Sequence, residues 1–419
     1  MSRNNTIFKI DWISVILFAA LICCGWLSIY STTVIDTDQS FFNLSTLYGK
    51  QLIFILLSVV IVIFILSIES KFYERFSSIF YVISLLSLFG LLFFGKTING
   101  QMAWYSIGSF TIQPAEFAKA AVALAIAKYL SELNVDLKKL KYQFSAFVIL
   151  LIPIGLILLQ PDAGSALVFF SFFIALYREG LPGFYIWIGL LAILFFASVL
   201  LIGSTITAAI TIVIFGSIIY ILKKQKRKIL PLFVVGVLSI GFIFSVNFLY
   251  NNVLKPHQKE RFEVLVNLEE NKKGSGYNLY QSIIAIGSGG ITGKGFLEGY
   301  SKQGGFVPEQ ETDYIFTSIA EEWGFLGSIF IIGLFIAFML RILFLAERQK
   351  KPFSRIYGYG VFGIFFIHFF INLGMVMGLV PTIGIPLPLI SYGGSGLWGF
   401  TILVFIFIKL DSERQKLGS

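Results

Sequence analysis

The sequence predicts an all-α polytopic membrane protein of about twelve transmembrane helices, with both termini cytoplasmic. Three observations carry this. Of the 419 residues, 57% are hydrophobic and only 13% are charged, roughly half the charge a soluble domain carries. Stretches of the roughly 20 apolar residues needed to span hydrocarbon recur along the chain with no charge inside. The net charge of +9 is divided into short clusters between those stretches, as topology determinants are, rather than gathered in a patch. A nucleic-acid partner is excluded on that ground.

The spans fall at roughly 12–33, 49–68, 75–95, 115–132, 143–160, 164–179, 183–203, 205–222, 229–250, 313–340, 356–380 and 393–410. The first is long and has no small-residue cleavage site behind it, so it reads as a retained helix. Only Gly203 and Ser204 separate the seventh and eighth spans. The run from 313 to 346 is long enough for one tilted helix. With the N-terminus inside, the cytoplasmic segments hold Lys71 and Arg75, Lys138, Lys139 and Lys141, the Lys223–Lys228 cluster, Arg341 to Arg355, and Arg414 with Lys416. The short outward loops near 160–164, 203–205 and 381–392 hold no Lys or Arg. The large polar loop 251–312 then lies outside. Residues 1–419 are expected to form one membrane domain. Cys23 and Cys24 sit inside the first span and say little about redox compartment.

Charges within membrane helices face a cavity or a partner. Glu116 and Lys119 are three residues apart at the start of the fourth helix, on one face, behind Pro114 at a first-turn position. They read either as a structural ion pair or as the wall of a substrate cavity. Asp162 reads equally as the N-cap of the helix beginning near 164 or as a cavity acid. Glu321 and Glu322, after Asp313, are costly inside a span, and at least one is expected to face a cavity or to meet Lys119 or another cation. The turn from Pro381 to Ser395 lacks charge and breaks helix strongly. It can re-enter the membrane only where protein or water satisfies its backbone. His368 and Asn372 face the same side one turn earlier, and a lone histidine there reads as a hydrogen-bonded core residue. In the outward loop, Gly287 to Gly295 with Lys294 fails as a phosphate loop, because Ser288 and Gly295 stand where that motif needs Gly and Ser/Thr. Exposed glycine N–H groups with Lys294 could still hold a diphosphate.

In order along the chain, these pieces resemble the SEDS family of bacterial cell-wall polymerases (RodA, FtsW and SpoVE). The matching residues are Asn99-Gly100 with Trp104, Gln113-Pro114-Ala115-Glu116-Phe117-Ala118-Lys119 and Gln160-Pro161-Asp162-Ala163-Gly164-Ser165. Then come Gln281-Ser282, Ala285 to Gly290, Gly293-Lys294-Gly295 and Phe306-Val307-Pro308-Glu309. Thr312 to Phe316, Glu321-Glu322-Trp323-Gly324, Gly384 to Pro388 and Ser391 to Ser395 complete the series. The Gly-Lys-Gly stretch and the loop before Pro308 look more like the RodA branch than the FtsW branch.

The resemblance implies a peptidoglycan glycosyltransferase that polymerises lipid II during elongation, in the bacterial plasma membrane, with its site on the extracytoplasmic side. It implies a class B penicillin-binding protein (transpeptidase) and other elongation-complex proteins as partners. A carboxylate would take the acceptor hydroxyl's proton and cations would stabilise the departing diphosphate. Two departures stand out. The family's outward-loop Asp falls on Asn267 by ungapped counting, and an amide cannot be a general base. Glu269 or Glu270 then takes that role by a small register shift, or Asp162 or an acid from Glu309 to Asp313 does. Relative to the family's about ten helices, an extra pair lies between roughly 205 and 250. The Arg often found before Trp104 is also missing, Met102 and Ala103 occupying that stretch. Substrate-binding candidates are Glu116, Lys119, Lys294, Glu309, Asp313, Glu321 and Ser391. The metal requirement stays open, a divalent cation being the candidate. Three other roles stay open: a lipid II flippase or transporter, a noncatalytic scaffold activating a transpeptidase, and an FtsW-like role in division.

Overall fold

The computed structural model describes residues 9–34, 43–98, 100–108, 110–254, 256–266, 276–299 and 309–414. Helices occupy all twelve expected spans. They are α1 (Trp12–Thr33), α2 (Leu47–Ser67), α3 (Ser70–Phe94), α4 (Pro114–Leu130) and α5 (Leu140–Leu159). There follow α6 (Ala163–Val168) and α7 (Phe172–Arg178), joined by a 3-10 turn, then α8 (Phe184–Ile202), α9 (Ser204–Ile221) and α10 (Lys226–Phe248). Two helices of the large loop, α11 (Pro256–Val266) and α12 (Tyr277–Ser288), precede α13 (Ile315–Glu347), α14 (Pro352–Val376) and α15 (Gly394–Ser412). Among the described residues, ten helices are long and apolar enough to cross a membrane. The remaining two spans are α4, of 17 residues, and the short apolar pair α6–α7.

The chain forms two compact units. The first comprises Met1–Leu181 and Asn278–Ser419. Its centre is α4, whose sequence alternates alanine with larger residues and which is buried over nearly its whole length. Small residues let backbones approach where hydrocarbon gives no hydrophobic drive between helices. Accordingly α3, α14 and α15 all pack on α4. Glycines on α14 do the same work: a Cβ at Gly358 would stand 2.5 Å from the Phe407 ring, and one at Gly363 would stand 2.7 Å from the Ser171 carbonyl oxygen.

Between α3 and α4 lies a feature the sequence reading leaves as a loop. Strands β1 (Lys96–Ile98), β2 (Gln101–Ile107) and β3 (Phe110–Ile112) form an antiparallel sheet in the order β1-β2-β3. Its turns carry Gly100 at φ +80° and Gly108 at φ +63°, which favours glycine. The Tyr105 hydroxyl donates to the Ser87 carbonyl (2.8 Å) and the Met102 N–H to the Gln160 carbonyl (3.1 Å), fixing the sheet over the ends of α3 and α5.

The helix ends that the charge pattern assigns to the cytoplasm converge. Asp11 caps α1 through the Ser14 N–H (3.0 Å) and accepts from Arg341 Nε (3.1 Å) and Nη2. Asp411, at the end of α15, accepts from Arg348 Nε (3.0 Å), Gln349 Nε2 (2.6 Å) and Arg414 Nη1 (2.9 Å). Glu413 pairs with Lys409 (3.0 Å) and accepts from Ser70 Oγ (2.5 Å). Arg355 pairs with Glu179 (2.9 Å). Chain ends far apart in sequence are therefore joined by charge-assisted bonds, which are the strong ones.

The second unit comprises Pro182–Tyr277. Here α8, α9 and α10 pack around Phe195, Val199, Ala208, Ile243 and Val246. Gly203, at φ +83°, reverses the chain between α8 and α9, so the short turn expected at Gly203-Ser204 is present. The Phe262 ring of α11 meets Phe196 of α8 edge-on, 5.2 Å between centroids.

Asp11 supplies a pH test. Burial pushes its carboxyl up, but the Arg341 and Ser14 hydrogen bonds outweigh burial and lower it from 3.8 to about 2. A depressed carboxylate stabilises the fold fully above its unfolded value, and that contribution is lost as pH falls through the folded value. Thermal unfolding of the purified protein should show extra destabilisation between about pH 4 and pH 2. Asp11→Asn should be less stable at neutral pH and should lack that component.

Candidate functional site

Three polar assemblies stand out within the first unit. The first is built on the opening turns of α4. Lys119 is 3% exposed, and its ammonium donates to Glu116 Oε2 (2.7 Å) and to His368 Nε2 of α14 (3.0 Å). It also lies 4.6 Å from the centre of the Phe400 ring of α15. An ammonium has donors only, so Nε2 must accept. The imidazole is then the neutral tautomer whose Nδ1–H donates to the Pro386 carbonyl (3.2 Å). Gly399 makes room, since a Cβ there would stand 2.8 Å from the Glu116 carbonyl. Lys119 does not meet Glu321 or Glu322, one alternative left open by the sequence: its neighbour Glu116 is one turn away on its own helix.

The second assembly is the non-helical run from Pro381 to Gly393, between α14 and α15. Its backbone is held from four sides. Asn372 Nδ2 donates to the carbonyls of Asp313 (2.9 Å) and Ile385 (2.8 Å). Ser391 Oγ accepts from the Leu387 N–H (2.8 Å) and donates to the Thr312 carbonyl (2.6 Å). The Tyr392 N–H donates to the Glu311 carbonyl (2.8 Å), and the Gly393 N–H to Gln51 Oε1 of α2 (3.2 Å). On α1, a Cβ at Gly25 would collide with the Ile390 backbone at 2.6 Å. The turn before α6 also reaches this run, a Cβ at Gly164 falling 3.2 Å from the Gly384 carbonyl. Asp162 sits in that turn. It caps α6 through the Ser165 N–H (3.0 Å), and accepts from Ser165 Oγ (2.7 Å) and Gln113 Nε2 (3.0 Å). Asp313 approaches from the other side, its Oδ2 3.1 Å from where a Gly384 Cβ would lie.

The third assembly repairs a break in α13. Gly324 has φ 62° and ψ −156°, so the single helix expected over 313–346 is two helical pieces joined at a kink. The freed backbone groups are met by the glycine-rich strip 289–295. The Lys294 and Gly295 N–H groups donate to the Glu321 and Glu322 carbonyls (3.0 Å each). In return, the Phe325 and Leu326 N–H groups donate to the Gly290 (2.9 Å) and Ile291 (3.1 Å) carbonyls. Only glycine permits this contact: a Cβ at Gly289 would stand 2.0 Å from the Ala320 carbonyl, and one at Gly293 2.1 Å from the Glu322 carbonyl. The Lys294 ammonium pairs with Glu321 Oε1 (2.8 Å). Ser31 of α1 donates to Glu322 Oε1.

This corrects one expectation. The Lys294 and Gly295 amides are not a vacant anion cradle, because α13's carbonyls already take them. Lys294 itself stays partly exposed, its side chain at 20% against 3% for Lys119. Ser391 ties backbone to backbone. Glu309 is exposed, at φ +55°. Glu269, Glu270 and Asn267 lie outside the described residues, as do Asn99, Gly274, Ser275 and Phe306-Val307-Pro308. Among the described residues, no three His, Cys, Asp or Glu side chains stand together as a metal-ligand set. The reading of His368 as a hydrogen-bonded core residue missed its bond to Lys119, Gln113 appeared only as part of a matching motif with no role, and Ser31 was not singled out. No local spacing links Ser31 to Glu322 across 291 residues.

The family model of the FtsW/RodA/SpoVE cell cycle proteins matches residues 11–206 and 177–416. The chain belongs to this family. Among curated members, it is 32% identical over 441 aligned residues to the peptidoglycan glycosyltransferase RodA of Treponema pallidum, covering 98% of this chain and 100% of that one. It is 33% identical over 365 residues to the peptidoglycan glycosyltransferase MrdB of Escherichia coli, covering 87% and 85%. In fold, this family member is similar to a chain of a solved peptidoglycan synthase complex that coordinates polymerization and crosslinking (TM-score 0.71, 24% identity, 97% and 98% covered). It is similar also to crystalline RodA of Thermus thermophilus (TM-score 0.63, 23% identity, 97% of each chain).

Two substitutions test the geometry. Lys119→Met leaves Glu116 and His368 without their donor, and breaking a buried pair from one side costs about 3–5 kcal/mol. Adding Glu116→Met should recover part of that loss in thermal unfolding. Gly324→Ala forces a Cβ to within 2.3 Å of the Gly293 nitrogen at a strained φ, and should destabilise by about 1–3 kcal/mol. Gly333→Ala, inside the same helix with nothing within 4 Å of its Cβ, should not destabilise.

Proposed function

We propose that this chain is a peptidoglycan glycosyltransferase that polymerises lipid II into glycan strands during cell-wall elongation. The observation that carries this is family membership along almost the whole chain, with curated relatives of that activity above 30% identity. The chain sits in the bacterial plasma membrane as one multi-pass domain with loop 251–312 outside the cytoplasm. Its partners are a class B penicillin-binding protein and other elongation-complex proteins.

The geometry supports a division of labour. In the reaction, the acceptor's 4-hydroxyl oxygen bonds to the anomeric carbon of the lipid-linked donor. The bond from that carbon to the diphosphate oxygen breaks, the hydroxyl proton passes to a carboxylate, and undecaprenyl diphosphate departs. Lys294 is a partly exposed cation suited to an outside diphosphate, and its Glu321 partner, at 2% side-chain exposure, fixes it in place. Lys119 is sealed with Glu116 and His368. It shapes the polar floor beneath Pro386 instead of touching a bulky substrate. Asp162 caps α6 and accepts from three donors in all, which favours capping over proton transfer. The general base is then Glu269 or Glu270, with an acid from Glu309 to Asp313 as the alternative.

Purified protein with lipid II and its transpeptidase partner should make glycan strands. Glu269→Gln combined with Glu270→Gln should lower the rate by about 100-fold or more, the usual worth of a general base. Undiminished polymer from that double variant would remove both residues from the role. Lipid translocation in vesicles with no polymer at all would overturn the glycosyltransferase reading.

A further inference from the structure

We propose that Tyr392 and Glu311 bind a hydroxyl group on a sugar ring of the substrate, with Phe110 and the Tyr392 ring as the apolar wall beside them. This rests on the glycosyltransferase reading above and adds a binding site to it.

Glu311 lies in the turn before α13 and Tyr392 in the turn before α15. The Tyr392 N–H donates to the Glu311 carbonyl (2.8 Å), which fixes the two residues side by side. Behind them Phe54 of α2 is the hub of an aromatic cluster. Its ring centre lies 6.3 Å from Tyr392, 6.0 Å from Phe110 of β3 and 5.5 Å from Trp398 of α15. The Trp398 Nε1–H donates to the Phe54 carbonyl (3.0 Å), and a Cβ at Gly394 would stand 3.0 Å from the Phe54 ring. Phe54 is therefore held from α15 and buried, while Phe110 is exposed and Tyr392 half-buried.

Two polar groups in this corner are uncommitted. Among the described residues, the Tyr392 hydroxyl has no hydrogen-bond partner, and the half-buried Glu311 carboxylate has neither a donor nor a cation. The two are close enough for the carboxylate to act on the phenol through its charge. Asp162, by contrast, already accepts from three donors. A carboxylate accepts hydrogen bonds and a phenol both donates and accepts, so a neutral hydroxyl answers both. An aromatic wall with a few oriented polar groups is how ligand sites fix a ring-shaped molecule. The unpaired acid also says what the corner does not take. It repels a diphosphate, which belongs instead with Lys294. It equally repels the headgroup phosphates that an interfacial tyrosine would otherwise meet.

The test uses the full purified chain. Polymerisation is followed with lipid II and the transpeptidase partner. Binding is followed separately by saturation-transfer NMR with a disaccharide of the glycan strand that lacks lipid and peptide. Tyr392→Phe should raise KM for lipid II about fivefold, and Glu311→Gln about tenfold, with kcat unchanged. The double variant should be little worse than Glu311→Gln alone, because both groups meet one hydroxyl. Saturation of the disaccharide's ring protons should fall in both single variants and in Phe110→Leu, which keeps an apolar side chain without a ring. Unaltered KM and saturation in all three would overturn the proposal. So would a kcat loss of about 100-fold in Glu311→Gln at unchanged KM, which would make Glu311 the general base. Disaccharide saturation absent from the wild type, with KM raised in Glu311→Gln, would assign the pair to the peptide and overturn the sugar site. If the wild type makes no polymer but its disaccharide signal is lost in the variants, the glycosyltransferase reading fails and the sugar site stands.

Discussion

Irregular backbone at membrane depth must find its hydrogen bonds within the protein, and the rest of this structure follows from that constraint. The chain breaks regular helix at Gly324 and again from Pro381 to Gly393. At Gly324 the repair comes from another stretch of backbone, the strip around Gly289 to Gly295, in a two-way exchange of N–H and carbonyl groups. At Pro381–Gly393 it comes from side chains: Asn372, Ser391, His368 and Gln51. Both repairs need close approach, which explains the glycines at Gly25, Gly164, Gly289 and Gly293.

The charges sort by the same logic. At one end of the first unit, Asp11, Arg341, Arg348 and Asp411 join helix ends, the carboxylates buried and the guanidinium groups partly exposed. Deeper, Lys119 is nearly sealed, and its three donors are shared between a carboxylate and a neutral imidazole, with an aromatic face beside it. Because His368 passes the contact on to Pro386, the ammonium is tied to the irregular run and not only to its own helix. Lys294, like Arg341 and Arg348, is a partly exposed cation held by a buried acid. A sealed pair such as Lys119 with Glu116 and a partly exposed cation such as Lys294 on a buried carboxylate are different devices.

Much of this was legible in the sequence because hydrophobic length and charge placement are local signals. The spans of α1, α8 and α9 were placed within two residues. The i, i+3 spacing of Glu116 and Lys119 offered their pairing, and Asp162 before Ala163-Gly164 its cap, each as one of two open readings, and the structure shows both contacts. The sheet of residues 96–112 was missed although Asn99-Gly100 is a strong hairpin turn signal, since β1 and β3 have three residues each and β2 does not alternate apolar with polar residues. The kink at Gly324 was invisible for another reason. Its partner strip lies some thirty residues upstream, and hydropathy across 313–346 is continuous. Ser31 with Glu322, and Gln51 with Gly393, are tertiary facts with no local trace.

The most direct measurement is amide hydrogen exchange on the full chain in lipid nanodiscs, resolved at Lys294, Gly295, Phe325 and Leu326. If the strip and the broken helix share their backbone bonds, these four amides exchange slowly, on the scale of the α14 core, and speed up together in Gly324→Ala. Rapid exchange at all four in the unmodified protein, with α14 still protected, would contradict the account.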